Sequence, residues 1–175
     1  MKQEKKLEAY IHKNAWNLNY HNAEVTDIWG TNYQVTIKPA GSCFALPYSK
    51  VFDREITLST PCQYTVKQFN ISETEYLAQE LAHETGHLDT WIPSATLTGL
   101  ILFAGIRQMK KTRSFLKPFL YTILALGAKK TVIDETLAEV AAQYIHKSNP
   151  TGEQFHKGER NPSNFINGLE HLIEG

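Results

Sequence analysis

The sequence predicts an α+β protein in which a small N-terminal mixed sheet is followed by a helical C-terminal half. Strand-like segments lie before Pro61 and are separated by glycine and proline. After Pro61, apolar residues recur mostly with helical spacing. The chain has 175 residues and is 42% hydrophobic, which is enough for one well-buried core but not for two ordinary domains. A single domain spanning residues 1–175 is therefore expected.

The expected elements begin with a charged amphipathic helix at about residues 3–20. Because the first six residues are largely charged and do not resemble a signal peptide, a cytoplasmic location is expected. The strand segments that follow are 24–29, 32–38, 43–46 and 55–59. The last of these is expected at the edge of the sheet, where an extended peptide could add its own backbone hydrogen bonds.

The helix expected at residues 72–88 carries the most informative motif. Ser72 and Glu75 have the spacing of a capping box at its start. His83, Glu84 and His87 form an H-E-x-x-H sequence. On a helix, positions i and i+4 share a face, so both imidazoles can reach one ion at about 2.0–2.1 Å while Glu84 points about 100° aside. The motif predicts a zinc site.

A catalytic zinc site needs a third protein ligand, and the helix expected at residues 131–146 offers two candidates. Glu135 and Glu139 share one face with the small Ala138 and Ala142, which would allow close approach to the motif helix. One glutamate could bind the ion while the other orients a histidine through its second nitrogen. A solvated acidic face is the alternative interpretation.

These two segments, 83–87 and 135–139, resemble the gluzincin zinc peptidases, in which an H-E-x-x-H helix is followed by a glutamate helix of the form E-x-x-x-D. Glu139 stands where aspartate is usual. Residues 82–88 are similar to the ImmA/IrrE-like peptidases. Residues 53–59 and 135–142 are similar to the antirestriction, ArdC-like zincins.

The resemblance implies a zincin-like fold and a zinc-dependent peptidase that acts on a peptide or protein substrate. His83, His87 and Glu135 would bind Zn²⁺, Glu84 would act as the general base, and Glu139 would be the orienting group or an alternative ligand. Gluzincins commonly stabilise the oxyanion with a later histidine or tyrosine, and the candidates by position are Tyr144, His146 and His156.

The antirestriction pattern also fits one helical turn earlier, where Gln79 would occupy the first histidine position and Glu80 that of the base. Because glutamine is a poor zinc ligand compared with imidazole, the frame from His83 to His87 is favoured. The mismatch favours a second hypothesis, in which the chain is a catalytically inactive zincin-fold module of a mobile element that binds a partner protein.

Between the two site helices lies a helical insertion at about residues 91–130. Its apolar runs, 95–106 and 115–127, are joined by a basic link and fall short of the about 20 residues that a membrane-spanning helix needs. Three interpretations remain: membrane contact through 95–127, a dimer or partner surface, and a helical hairpin that covers the cleft. The last is favoured.

Composition excludes some partners. With 18 basic and 18 acidic residues and a pI of about 7.1, the chain gives no electrostatic argument for nucleic-acid binding. Cys43 and Cys62 are too few for a disulfide framework and are expected to be buried thiols.

Overall fold

The computed structural model describes residues 2–14, 16–39 and 47–146. Helix α1 (Lys2–Lys13) precedes strands β1 (Asn19–His21), β2 (Glu24–Thr26), β3 (Asn32–Lys38), β4 (Tyr48–Lys50) and β5 (Glu55–Ser59). The helices that follow are α2 (Gln63–Phe69), α3 (Glu73–Asp89), α4 (Trp91–Thr112), α5 (Leu116–Ala128) and α6 (Glu135–Tyr144), with a π-helical segment at Lys129–Asp134. The predicted α+β class is confirmed. The strand expected at 43–46 and His156 lie outside the described residues.

The five strands form one mixed sheet in the order β1-β2-β3-β5-β4. β3 and β5 are parallel, and the other neighbours are antiparallel. The expectation that residues 55–59 form an edge strand is wrong, because β5 lies between β3 and β4. The short β4 has little apolar character and was not recognisable as a strand, and it turns back into β5 through Arg54, whose φ is +52°. An extended peptide therefore cannot pair with β5 along the length that β4 covers.

Two elements end earlier in the structure than the sequence predicts. Helix α1 ends at Lys13 instead of continuing to residue 20. The strand expected at 24–29 stops at Thr26, because Asp27 Oδ1 accepts hydrogen bonds from the backbone N–H groups of Trp29 and Thr31 at 2.9 and 2.8 Å. These bonds turn the chain in place of a strand ladder.

Helix α3 lies at the centre of the protein. Every residue from Tyr76 to Gly86 is buried, including the polar ones. The sequence predicted one core face and one polar face, but α1 and the sheet cover one side of α3 while α6 covers the other. The apolar core is formed mainly by residues of α1, the sheet and α3: Leu7, Ile11, Val25, Tyr33, Val35, Ile56, Leu58, Leu77, Leu81 and Leu88.

Helices α4 and α5 pack mainly against each other. α4 has only limited contact with α3, so the two helices do not form the cover over the cleft that the sequence favoured. Of the helices in the described residues, none is both long and apolar enough to cross a membrane by itself; α3 and α4, bent by 51° where they meet, pass that test only as a pair.

Cys62 differs from expectation, because it is disulfide-bonded and no described cysteine is free. Cys43 lies outside the described residues. Two cysteines without a recognisable spacing motif give no sequence signal for pairing, which is why the bond was missed.

Candidate metal centre

The motif helix is held at its start by a capping residue. Ser72 Oγ accepts a hydrogen bond from the backbone N–H of Glu75 at 3.1 Å, as the capping sequence predicts. From there α3 runs through the core without interruption to Asp89. This fixed start and buried course place His83 and His87, one turn apart, on the side of α3 that faces α6.

The approach of α3 to α6 depends on Gly86, which lies inside the motif. A Cβ atom built on Gly86 would lie 2.2 Å from the carbonyl oxygen of Ala138 and 3.0 Å from its carbonyl carbon. The neighbour is backbone, which cannot rotate away as a flexible side chain could. The two helices can therefore meet at this distance only with glycine at position 86.

We expect Gly86→Ala to destabilise the protein by at least about 1–3 kcal/mol, because the added methyl forces the helix backbones apart. Gly99→Ala is the matched control, since Gly99 also lies inside a helix but a Cβ there meets nothing within 4 Å. That change should be neutral or stabilising by up to about 1 kcal/mol. Urea denaturation of both variants measures the difference, and equal stabilities would refute the close approach.

Glu135, the first residue of α6, lies between the two histidines. Its Oε2 is 3.3 Å from His83 Nε2 and 3.7 Å from His87 Nε2. The two imidazole rings meet edge to face, with centroids 4.8 Å apart. The structure thus brings together the three residues that the resemblance assigned as metal ligands.

Glu139 contacts the other nitrogen of the first histidine. Its Oε2 lies 3.2 Å from His83 Nδ1, and its Oε1 accepts a hydrogen bond from Gln143 Nε2 at 2.9 Å. Glu139 is buried, whereas the Glu135 side chain is one-third exposed. His83 is therefore held at Nδ1, and its Nε2 is directed to the side where Glu135 and His87 lie.

The electrostatics of the cluster follow from burying an imidazole among carboxylates. Burial lowers the pKa of His83, but hydrogen bonds with Glu135 and Glu139, and the charges of Glu80 and Glu84, raise that pKa to about 10. Hydrogen bonds from His83 and His87 hold the pKa of Glu135 well below its usual range. A metal ion that binds here must displace the His83 proton and would replace its charge.

Glu84 completes a group that could hold a metal ion. Three ligand atoms, one from each of His83, Glu84 and His87, lie within 4.8 Å of one another. The Glu84 side chain is buried, and among the described residues no hydrogen bond or ion pair engages its carboxylate. Glu84 thus differs from Glu135 and Glu139, whose carboxylates are both occupied by histidines.

A π-helical segment leads directly into Glu135. Lys129, its first residue, is buried, and its Nζ contacts Asp134 Oδ2 at 2.9 Å and Ser94 Oγ at 2.6 Å. The ion pair with Asp134 spans the segment, and the hydrogen bond to Ser94 joins the segment to α4.

The oxyanion candidates are not gathered at this cluster. Tyr144 is 78% exposed and follows Glu135 by nine residues, about 13 Å along a helix. His146 is buried, and its Nε2 lies 2.5 Å from Asp89 Oδ2, so the carboxylate of Asp89 holds this ring. No hydrogen bond or ion pair joins either side chain to the cluster within the described residues, and the assignment of Tyr144 or His146 as an oxyanion stabiliser stays a prediction. His156 lies outside the described residues.

Asp89 is a residue that sequence reasoning missed. Besides contacting His146, its Oδ1 accepts a hydrogen bond from the backbone N–H of Ile28 at 2.8 Å, and its carbonyl oxygen accepts one from Trp29 Nε1 at 2.9 Å. Asp89 thereby ties the turn after β2 to the end of the motif helix. An aspartate in the last turn opposes the helix dipole, and this was the available signal for a specific role.

In the alternative frame one turn earlier, Gln79 occupies the position of the first ligand. Gln79 is buried, but within the described residues neither of its amide atoms has a hydrogen-bond partner, and its position offers no imidazole. The metal-capable group uses His83, Glu84 and His87 instead.

Comparisons of the chain with protein-family models, with curated proteins and with solved structures found no match. The centre is therefore defined by its own geometry: two imidazoles from α3 and a carboxylate from α6 converge, and a second carboxylate holds the buried imidazole.

Proposed function

We propose that the protein is a zinc-dependent peptidase of zincin-like architecture, with His83, His87 and Glu135 as the metal ligands. The observation that carries the proposal is the convergence of His83 Nε2, His87 Nε2 and Glu135 Oε2. Ligands about 2.0–2.2 Å from a tetrahedral ion lie roughly 3.3–3.5 Å apart. The carboxylate-to-imidazole separations of 3.3 and 3.7 Å are close to that range.

The donor set also supports zinc. Two neutral imidazoles and one carboxylate are the protein ligands of several catalytic zinc sites, which leave a fourth position for water or substrate. His87 and Glu135 are partly exposed, at 23% and 33%, whereas His83 is 6% exposed. Solvent therefore reaches the cluster from the side of His87 and Glu135, and that is where a substrate would enter.

Glu139 has the role of an orienting group in this proposal. A histidine ligand usually places its second ring nitrogen against a carboxylate or carbonyl, which fixes the ring and makes it a stronger donor. The contact between His83 Nδ1 and Glu139 Oε2 at 3.2 Å has this form. Gln143 in turn holds Glu139 through its other oxygen, which limits movement of the carboxylate.

A zinc ion at this position would polarise a substrate carbonyl and lower the pKa of a coordinated water toward about 7. Glu84 would accept a proton from the attacking water and pass it to the leaving amine. Its buried carboxylate lies beside both histidines and is engaged by no hydrogen bond or ion pair from the described part of the chain. Among the three glutamates of the cluster, Glu84 is thus the one left available to transfer a proton.

The test of catalysis is Glu84→Gln, which preserves the size of the side chain and removes the base. We expect this variant to retain zinc and to lose peptide hydrolysis by about 10²-fold or more. Hydrolysis of a broad peptide library, followed by mass spectrometry, measures the loss, and elemental analysis measures the zinc. Glu80→Gln is the matched control, because Glu80 is also a buried glutamate of α3 and would be the base only in the earlier frame.

If Glu80→Gln abolishes hydrolysis while Glu84→Gln does not, the proposed frame is wrong. If the wild-type chain binds zinc and cleaves no peptide, and captures the same partner protein with or without Glu84, the centre belongs to a binding module that holds zinc as a structural ion. The two results are distinguishable because zinc content is measured in each case.

A further inference from the structure

The two helices between the site segments leave much of their apolar surface in solvent. We call residues 91–128 of α4 and α5 the apolar hairpin. Its helices meet closely at Gly105, where a Cβ atom would lie 2.2 Å from Thr122 Oγ1. Apart from that mutual contact, large apolar side chains are exposed along both helices: Leu100, Leu102, Phe103, Ile106, Phe115, Leu116, Phe119, Leu120, Tyr121, Ile123 and Leu124.

The exposed apolar residues do not form a single narrow stripe. On α5, Leu120 and Tyr121 are 50% and 69% exposed and point about 100° apart. Phe119 is 39% exposed and points about 100° from Leu120 in the other direction, so exposed apolar side chains span about 200° of the helix. A helix that binds one groove needs only one apolar face, whereas a helix that is apolar on most sides is suited to an environment that surrounds it. A patch of this kind on a monomer marks an interaction surface.

The charge of the same segment has one sign. Between Thr90 and Ile133 the sequence contains no acidic residue, although the whole chain has a formal net charge of 0. Five basic residues around the end of the hairpin are exposed, and none is paired with an acidic residue of the described chain: Arg107, Lys110, Lys111, Arg113 and Lys117. Lys129, by contrast, is buried and paired with Asp134.

We propose that the apolar hairpin attaches the protein to a lipid bilayer that contains anionic lipids. The exposed leucine, isoleucine and phenylalanine side chains enter the acyl region, and the basic residues at 107–117 contact anionic headgroups. A bilayer satisfies both properties of the hairpin, because it surrounds an inserted helix with apolar atoms and presents negative charge at its surface.

A second copy of the chain fits the hairpin less well. Two hairpins that meet through the same surface offer no acidic residue from this segment to pair with the five exposed basic residues of each copy. Anionic lipids supply the opposite charge, so each basic residue gains electrostatic attraction at the bilayer surface.

The experiment is flotation of the full-length protein with vesicles of phosphatidylcholine alone and with vesicles that also contain phosphatidylserine. We expect the wild-type chain to float with the phosphatidylserine vesicles, more strongly than with phosphatidylcholine alone, and to dissociate progressively as salt is raised. Glu84→Gln should bind the vesicles as the wild type does, because attachment does not depend on hydrolysis.

Two sets of variants test the two parts of the surface. Phe103→Ser with Leu124→Ser removes apolar side chains that are 65% and 67% exposed, so folding should be retained. Lys110→Glu, Lys111→Glu and Arg113→Glu together reverse the basic end. With roughly 5-fold in affinity lost for each basic residue, the triple variant should bind phosphatidylserine vesicles about 100-fold more weakly.

Matched controls lie outside the hairpin. Phe52→Ser removes an apolar side chain that is 95% exposed, and Lys5→Glu with Lys6→Glu and Lys13→Glu makes the same charge change on α1. Both controls should float like the wild type. Circular dichroism of every variant verifies that helix content is unchanged.

The proposal is overturned if the wild-type chain does not float with either vesicle, or if the hairpin variants and the controls float equally well. It is also overturned, in favour of self-association, if the wild-type chain ignores vesicles, elutes as a dimer, and becomes monomeric when Phe103 and Leu124 are changed. Loss of flotation in both hairpin variants, with the controls unaffected, supports it.

Discussion

Replacing either histidine of the motif should empty the metal centre. We expect the wild-type chain to carry about one zinc ion, and His83→Ala or His87→Ala to lower zinc affinity by more than about 100-fold. Removal of an orienting group alone typically costs about 10–100-fold in affinity, and a direct ligand contributes more. Elemental analysis after dialysis against a chelator measures the occupancy.

His12→Ala is the matched control for this prediction, because the His12 side chain is 71% exposed on α1. It should leave zinc content unchanged. Full metal occupancy in both His83→Ala and His87→Ala would mean that zinc binds elsewhere on the chain, and the proposed function would lose its basis. Thermal unfolding of the apo forms separates loss of metal from loss of the fold.

The second large effect should be a difference in zinc affinity between variants of the two glutamates of α6. Glu135→Ala should empty the centre at zinc concentrations where Glu139→Ala remains largely filled, because Glu135 Oε2 faces both imidazoles and Glu139 contacts only His83 Nδ1. Calorimetric titration of zinc into each apo variant gives the two affinities. The predicted order is wild type, then Glu139→Ala, then Glu135→Ala.

The opposite order would transfer the ligand role to Glu139. Equal and negligible effects would mean that α6 does not bind the ion at all, and the contacts of Glu135 with His83 and His87 would then be ion pairs of the protein alone. Glu73→Ala, at the exposed first turn of α3, provides a control for the loss of one negative charge.

The motif helix could be predicted from sequence because its signals are local. The Ser72 cap and the four-residue spacing of His83 and His87 are properties of a single helix, and the structure has that helix at Glu73–Asp89. The second helix was predicted from the shared face of Glu135 and Glu139. Their distinct contacts could not be predicted, because both residues lie on that face and only the packing of α6 on Gly86 decides which nitrogen each one meets.

Long-range features were missed for the same physical reason. The neighbours of β5 depend on which strand closes the edge, and Tyr48–Lys50 carries little strand signal of its own. The contacts of Asp89 with His146 and Ile28 join residues more than fifty positions apart in the chain. Neither propensity nor periodicity reports such pairings, which follow from the assembled core.

For the apolar hairpin, the helices could be predicted from the sequence, but the exposure of their apolar faces could not. The sequence predicted two apolar helices joined by a basic link, and α4 and α5 confirm both helices. Whether their apolar faces point into the core or into solvent is a property of the whole fold. Phe103 and Leu124 are exposed to solvent in the structure, and this exposure is the observation from which the proposed attachment surface is argued.

The most direct test of the central claim is a crystal structure of the zinc-loaded protein with anomalous diffraction recorded at the zinc absorption edge. We expect one strong anomalous peak at about 2.0–2.2 Å from His83 Nε2, His87 Nε2 and a Glu135 oxygen, with Glu139 still bonded to His83 Nδ1. A peak coordinated by other residues, or no peak from protein that binds zinc stoichiometrically in solution, would contradict it.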